Sequence, residues 1–200
     1  INGEDTNIEK PVNIFGGVDP ASSLSQSADF SVVFPIAYDA DGLYWTLPYF
    51  RARVQPMDLA EAIINQYQAY KHKRIRIEST GYQEMLRQYI RTRITIPGLE
   101  IKEMPRGSKS TRLESLQPLF AMKKVFIHES NEHFIDELLV FPRGKHDDTL
   151  DAFYYATKAP YKPYHGTVQV NDRTVWKHKE AMPPHIQKRQ LNEANAWMVL

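Results

Sequence analysis

The chain has 200 residues, enough for one sizeable domain with its own core, and its 42% hydrophobic content excludes a disordered protein. It contains no cysteine, which excludes a disulfide framework and any thiolate metal site. No apolar run reaches membrane-spanning length and no signal-peptide core opens the chain, so we expect a soluble intracellular protein without a membrane partner.

The formal net charge of +1 conceals a strong segregation of charge along the chain. The charged residues within 1–50 are mostly acidic, whereas those within 71–112 are mostly basic and include the run Lys71-His72-Lys73-Arg74-Ile75-Arg76. Such a basic block suggests a polyanionic partner, most simply nucleic acid. A solvated basic face without any partner is the alternative, and the sequence leaves the two open.

The first part of the chain predicts an antiparallel meander. A polar linker at 1–13 precedes a buried strand at 14–18, which ends at Asp19-Pro20 because proline cannot donate to a ladder. A serine-rich loop leads to a second strand at 30–38. Asp41-Gly42 supplies a hairpin turn, and alternating residues predict a third strand over 43–49.

Helices and parallel strands are predicted to follow. Pro56 suits the first position of a helix, a strand at 74–78 ends on Glu78, and Thr80 with Gln83 forms a capping box for a second helix. A strand at 99–104 comes next. A second capping box, Thr111 with Glu114, predicts a further helix that Pro118 should kink or shorten.

The remainder of the predicted domain is a short apolar run at 125–127, a helix ending near Phe141-Pro142, and a last helix read from Asp147. The predicted fold class is α/β, a mixed sheet in which a three-stranded antiparallel meander is followed by parallel strands, flanked by helices. The predicted divisions are a linker at 1–13, a domain at 14–159 and a C-terminal tail at 160–200.

Three acids crowd the start of the last helix. Asp147, Asp148 and Asp151 lie three or four residues apart, and like charges held that close raise the cost of keeping all of them ionised. A hard divalent cation removes that cost. The alternative is ordinary helix capping, because acids in a first turn are favoured by the helix dipole.

The ends of two predicted strands favour the metal interpretation. Asp19 and Glu78 end strands that should be adjacent and parallel, and the carboxyl ends of such strands share one edge of the sheet. A last helix packed across that edge would add Asp147 and Asp148. Converging carboxylates without His or Cys ligands suit two hard cations that clamp the attacking and leaving oxygens of a phosphodiester. Turn formation by Asp19 and a salt bridge from Glu78 to Arg76 are the competing explanations.

Residues 14–158 resemble the nuclease domain of the large terminase subunit of tailed bacteriophages, which has an RNase H-like fold. Three acidic motifs carry the resemblance: Gly17-Val18-Asp19-Pro20-Ala21, Ile77-Glu78-Ser79-Thr80-Gly81 and His146-Asp147-Asp148-Thr149-Leu150-Asp151-Ala152. The third is the most specific. The segments Lys109-Ser110-Thr111-Arg112-Leu113 and Leu116-Gln117-Pro118-Leu119-Phe120 are also similar to the family.

The resemblance implies a role for each matching residue. Asp19, Glu78 and Asp147 would bind two Mg²⁺ or Mn²⁺ ions, with Asp148 sharing or supporting the second ion. Asp151 and His146 would support the site. Lys109, Arg112 and Lys145 would contact DNA phosphates, with surface solubility as the alternative for the first two.

The implied function is metal-dependent cutting of double-stranded DNA with low sequence specificity during viral genome packaging, in the cytoplasm of an infected bacterium. The chain lacks the phosphate-binding loop of the family's packaging ATPase and starts at Ile1 rather than Met. We therefore expect an N-terminal ATPase domain in a longer parent chain, with the portal and the small terminase subunit as further partners. The alternatives are a junction-resolving or RNA-hybrid nuclease of the same fold, and a non-catalytic nucleic-acid-binding module.

Overall fold

The computed structural model describes residues 11–21, 30–79, 82–102, 109–144, 146–163 and 197–199. Its strands are Val12–Asp19 (β1), Ser31–Asp39 (β2), Tyr44–Thr46 (β3), Phe50–Ala52 (β4), Arg74–Glu78 (β5), Leu99–Lys102 (β6), Val125–His128 (β7) and Trp197–Val199 (β8). Its helices are Pro56–Tyr70 (α1), Gln83–Arg93 (α2), Lys109–Glu114 (α3), Gln117–Ala121 (α4), Glu132–Val140 (α5) and Asp148–Thr157 (α6).

These elements build the predicted mixed sheet, with strand order β6-β5-β1-β2-β3-β7-β8 and with β4 also paired to β2. β1 and β2 are antiparallel, whereas β5 and β6 run parallel to β1. β1 is therefore central, as the sequence predicted. Its parallel neighbour β5 places the carboxyl ends of both strands at one edge of the sheet.

The third strand differs from its prediction because it is divided. β3 and β4 both pair antiparallel with β2, and residues 47–49 separate them. Pro48 lies in this gap and Pro35 lies opposite it on β2, so neither can donate a ladder hydrogen bond there. The single strand predicted over 43–49 was wrong for this reason.

The helix predicted to begin at Thr111 also differs. Thr111 lies inside α3, which begins at Lys109, and a second helix, α4, begins at Gln117. Pro118 lies at the start of α4, a position that tolerates its missing N–H. The break at Pro118 is confirmed, whereas the capping box at Thr111 is wrong. Thr80 of the other predicted capping box lies outside the described residues, and α2 starts at Gln83.

Helices cover both faces of the sheet, and each face has its own core. Side chains of β1, β2 and β5 pack with α1 and α2 in one core, which includes Val18, Val33 and Ile77. The other core joins β1, β2 and β7 to α3, α4, α5 and α6 and includes Phe15, Phe34 and Phe153. Every residue of α6 is buried, so this helix is the centre of its layer.

Two arginines of the basic run at 71–76 make contacts within the fold. Arg74 donates a hydrogen bond to the carbonyl of Ala159, and Arg76 donates one to the carbonyl of Lys158. Both guanidinium groups also lie within 3.5 Å of Glu100. Cations are favoured at the C-terminal end of a helix, so these two arginines stabilise the end of α6. Their clustering in the sequence therefore has a structural explanation.

The C-terminal strand β8 falls inside the predicted tail. It pairs antiparallel with β7 at the end of the sheet. Residues 164–196 lie outside the described part of the chain, so the division at residue 160 stays a prediction. Among the described helices, none combines the length and the apolar character needed to cross a membrane.

His72 makes the stability of the fold sensitive to acid. Its ring is 3% exposed, and neither ring nitrogen has a hydrogen-bond partner among the described residues. Burial lowers its pKa to about 3 from an ordinary 6.5. The unfolded chain therefore takes up a proton first, and the free energy of unfolding falls as the pH drops below 6.5.

We expect protonation of His72 in the unfolded chain to lower the free energy of unfolding by about 2 kcal/mol at pH 5. His72→Phe should remove that part of the pH dependence. Urea unfolding at pH 7 and pH 5 measures it. The exposed His133→Gln is the control and should keep the wild-type slope. An unchanged slope in His72→Phe would contradict the assignment.

Candidate active site

Strand alternation places two acids on the face of the sheet that α6 covers. Val18 and Ile77 point into the α1 and α2 core and are register partners in β1 and β5. Their neighbours Asp19 and Glu78 therefore point to the opposite face. Asp19 and Glu78 hydrogen-bond through their side chains, so the predicted proximity of these two carboxyls is present in the structure.

Gly17 lets α6 lie directly on β1. A Cβ atom at this position would overlap the carbonyl oxygen of Ala152 and lie 2.5 Å from the backbone nitrogen of Ala156. The helix backbone therefore approaches the strand as closely as a glycine allows. This contact sets the height of α6 above the sheet and hence the position of every side chain on its inner face.

The inner face of α6 adds two more acids. Asp148 and Asp151 are buried, and both charges act on Asp19. They are three residues apart, which places them on the same side of the helix, and Tyr155 follows one turn after Asp151. Asp148 is the first residue of α6, so the N-terminal end of the helix, with its partial positive charge, lies at these acids. The C-terminal end lies at Arg74 and Arg76.

The electrostatics of the cluster are those of crowded acids. Burial raises the pKa of the Asp19 carboxyl well above its ordinary value, and the charge of Asp151, the hydrogen bond and charge of Glu78, and the charge of Asp148 raise it further. We refer to Asp19, Glu78, Asp148 and Asp151 as the acid cluster. Holding all four ionised is costly without a cation between them.

One cation of the protein already lies among these acids. The Arg112 guanidinium is 6% exposed and lies 3.4 Å from Glu78 Oε1 and 3.8 Å from Asp151 Oδ1. It also donates a hydrogen bond of 3.3 Å to the Tyr155 hydroxyl. Burial disfavours its charge, but Asp151, Tyr155 and Glu78 together raise the pKa of Arg112, so it stays protonated.

The acid cluster suits a hard divalent cation in its chemistry, because its ligands are carboxylate oxygens and its charge is in excess of Arg112. Among the described residues, however, no three His, Asp or Glu side chains are grouped closely enough to form an assembled metal site. The structure therefore places four acids near one another without an assembled metal site, and an arginine lies beside two of them.

The other predicted site residues have different positions. Asp147 is the N-cap residue of α6 and is half-buried, and its role as a metal ligand stays a prediction. The Nδ1 atom of His146 lies 3.8 Å from Asp148 Oδ2, and its supporting role stays a prediction. The Lys109 side chain and Lys145 lie outside what the structure describes.

Arg112 was predicted to contact DNA phosphates, with surface solubility as the alternative, and its side chain is buried. Its side chain lies between Glu78 and Asp151, because buried carboxylates without a counterion are costly. A phosphate contact by Arg112 therefore has no support from this conformation.

Glu137, a buried carboxylate of α5 that holds the start of α6, was not among the predicted site residues. Its Oε2 atom accepts hydrogen bonds from the backbone N–H groups of Thr149 (2.9 Å) and Leu150 (3.3 Å) and from the Thr149 hydroxyl. These bonds satisfy donors of the first turn and fix the helix end that carries Asp148. Glu137 lies within an apolar helical pattern, and no motif around it indicates this role.

Two arginines beside the acid cluster were also not among the predicted site residues. The Phe30 backbone N–H donates a hydrogen bond to Asp148 Oδ2 at 3.3 Å. Arg51 and Arg53 make cation–π contacts with the Phe30 ring, their guanidinium carbons lying 3.5 and 4.0 Å from its centroid. Arg51 also pairs with Glu137 at 3.7 Å, whereas Arg53 is exposed. Positive charge therefore lies at the edge of the acid cluster.

Solved structures share this arrangement of strands and helices. The large terminase nuclease of the thermophilic phage G20c has a TM-score of 0.53 and 16% identity, over 72% of this chain and 81% of that chain. The human cytomegalovirus terminase nuclease domain has a TM-score of 0.53 and 16% identity, over 77% and 86%. The yeast mitochondrial Holliday junction resolvase Ydc2 has a TM-score of 0.48 and 15% identity, over 75% and 80%.

The first two of these neighbours share the overall fold of this chain. No curated protein has a sequence significantly similar to this one. Residues 16–159 match the family described as the terminase RNaseH-like domain, and this region contains the whole acid cluster together with Arg112 and Glu137. The chain therefore belongs to the terminase RNaseH-like domain family.

Proposed function

We propose that this domain is a metal-dependent endonuclease that hydrolyses double-stranded DNA with low sequence specificity. The observation that carries the proposal is the convergence of four carboxylates at the carboxyl edge of an RNase H-like sheet, where burial and mutual repulsion raise the pKa of Asp19. Membership of the terminase family and the likeness to two terminase nucleases in fold support the same reaction.

Asp19, Glu78, Asp148 and Asp151 would hold two Mg²⁺ or Mn²⁺ ions, with Asp147 as a further candidate at the start of α6. Such ions lower the pKa of bound water and stabilise the leaving oxygen of a phosphodiester. The protein's own contribution is to fix the carboxylates. β1 and β5 hold Asp19 and Glu78, Gly17 sets the height of α6, and Glu137 fixes the turn that carries Asp148.

The substrate would meet the protein through phosphates rather than base edges, and phosphate contacts carry no direct sequence information, so sequence specificity would be low. We further propose that the domain works within a large terminase subunit, joined to a packaging ATPase, and cuts the viral genome in the host cytoplasm. The portal and the small terminase subunit are the proposed partners.

The second candidate is a nuclease of the same fold that acts on DNA junctions or RNA hybrids, since carboxylates do not report the shape of the substrate. Comparing cleavage of linear duplex, four-way junction and RNA–DNA hybrid separates it from the first. The candidate of another class is a nucleic-acid-binding module in which the acids are caps and ion-pair partners. It requires that divalent ions neither stabilise the fold nor support cutting.

Plasmid cleavage tests the proposal. We expect nicked and linear products with Mg²⁺ or Mn²⁺, none in EDTA, and a melting temperature that rises with either ion. The same measurements on Asp151→Asn and Asp147→Asn separate the two candidates on α6, and the buried Asp151 should show the larger loss. No cutting of any substrate and no metal-induced stabilisation would favour the binding-module alternative.

Arg53 gives a test of DNA recognition that is separate from chemistry. We expect Arg53→Ala to weaken binding of a short duplex by about fivefold at low salt and to reduce the salt slope by about one, because one phosphate contact is lost. Fluorescence anisotropy in EDTA measures binding without cutting. Arg93→Ala, an exposed arginine of α2 on the other face of the sheet, is the control. An equal loss in both variants would contradict a local role for Arg53.

A further inference from the structure

Arg112 is held by the acid cluster but is not clamped by it. Its distances to Glu78 and Asp151, 3.4 and 3.8 Å, exceed those of a tight charge-assisted hydrogen bond, which are roughly 2.7–2.9 Å. Its Nε atom is buried without a hydrogen-bond partner among the described residues. Arg112 donates hydrogen bonds to Glu78 (3.4 Å) and to the Tyr155 hydroxyl (3.3 Å), and both are long. The guanidinium therefore neutralises its neighbours mainly by charge, and only weak hydrogen bonds would be lost if it moved.

The charges of the cluster explain why an arginine is there. Four carboxylates and one guanidinium leave three formal negative charges when all are ionised, and of the four acids Glu78, Asp148 and Asp151 are buried while Asp19 is half-buried. Removing Arg112 would leave Glu78 and Asp151 buried without a counterion, which is costly. A divalent cation would meet the same need at the same two carboxylates.

We propose that Arg112 is a built-in counterion that competes with the divalent metal ion for Glu78 and Asp151. In the metal-free protein it keeps the acid cluster folded, and metal binding requires the guanidinium to give up at least one of its two acids. The metal affinity of the free domain is therefore lower than the carboxylates alone would give. This inference rests on the proposed function, since it concerns the same site.

A different role would have the opposite effect on metal binding. If Arg112 positioned Glu78 and Asp151 as ligands, its removal would disorder them and weaken metal binding. A counterion that competes with the metal gives tighter binding when it is removed, even though the metal-free protein becomes less stable. A purely structural side chain gives no gain in affinity, so the sign of the change decides between these roles.

The experiment is calorimetric titration of the whole chain with Mn²⁺, comparing wild type with Arg112→Met, which keeps a flexible unbranched side chain and removes the guanidinium with its charge. We expect the dissociation constant to fall about tenfold, which corresponds to roughly 1.4 kcal/mol. In EDTA the melting temperature should fall. Arg93→Met removes an exposed charge from α2 and should leave the dissociation constant within about twofold of wild type, because exposed charges are screened.

Arg112→Lys is the second variant, for the case in which Arg112→Met does not fold. A lysine has one compact charge and cannot reach both acids as a planar fork does, so metal affinity should rise by about threefold. Unchanged or weaker binding in the variant that folds would overturn the inference. Asp19→Asn separates this from failure of the proposed function. If wild type binds no Mn²⁺, the function fails; if it binds Mn²⁺ through Asp19 but removing Arg112 gives no gain, the inference alone fails.

Discussion

Replacing Asp19 with asparagine should abolish DNA cleavage while leaving the fold intact. Asp19 lies where the charges of Glu78, Asp148 and Asp151 act on one carboxyl, so it is the acid that a cation would stabilise most. We expect a loss of roughly a thousandfold in cleavage rate, corresponding to about 4 kcal/mol of transition-state stabilisation. Single-turnover cleavage of a labelled duplex at saturating Mg²⁺ measures it.

Stability should change in the opposite direction. Asparagine occupies almost the same volume as aspartate but carries no charge, so Asp19→Asn relieves repulsion within the acid cluster. We expect its melting temperature in EDTA to equal or exceed that of wild type, and the stabilisation by Mg²⁺ to disappear. Asp58→Asn, an exposed acid of α1, is the matched control and should retain full cleavage. Cleavage by Asp19→Asn within tenfold of wild type would contradict the assignment.

Gly17→Ala should be the most damaging small substitution in the core. The added methyl group would overlap backbone atoms of Ala152 and Ala156, which cannot rotate away as a side chain can. Either α6 moves off β1 or the strand bends, and we expect a loss of about 3 kcal/mol in the free energy of unfolding. Because Asp148 and Asp151 move with α6, cleavage by the folded fraction should fall as well.

Gly16→Ala provides the matched control one residue earlier on the same strand. Its added methyl group would meet side-chain atoms, with His72 Cδ2 nearest at 3.0 Å, and side chains adjust more readily than backbone. We expect a loss of about 1 kcal/mol and normal cleavage. Urea denaturation of both variants measures the difference. If both lose the same stability, the close packing of α6 on Gly17 is not what positions the helix.

Local patterns in the sequence were sufficient to predict most of the sheet and the acids at its edge. The apolar run of β1, the alternation in β5, the proline at the start of α1 and the position of Glu78 at a strand end all have short-range causes, and the structure contains each of these elements. The divided third strand was not predicted, because it depends on Pro35 of the neighbouring strand as well as on Pro48. Such cross-strand effects are not visible in a local pattern.

Long-range contacts determined what the sequence could not provide. Asp147 and Asp148 were predicted to bind metal and Asp151 to support the site, and these roles stay predictions. The burial of Asp148 and Asp151 on α6, with Asp147 half-buried at its N-cap, depends on how the helix packs and was not predicted. Arg112 and Glu137 are separated from their partners by 34 and 12 residues, and neither stands in a motif that reveals its partner. Two arginines of the basic run hold the end of α6, which only the packed fold could show.

The most direct measurement of the central claim is anomalous diffraction from crystals of the whole chain grown or soaked in Mn²⁺. We predict anomalous peaks among the carboxylate oxygens of Asp19, Glu78, Asp148 and Asp151, with the Arg112 guanidinium withdrawn from at least one of its two acids. The absence of any peak in the acid cluster at saturating Mn²⁺, or manganese bound elsewhere on the chain alone, would contradict the assignment of this cluster as the metal site of the nuclease.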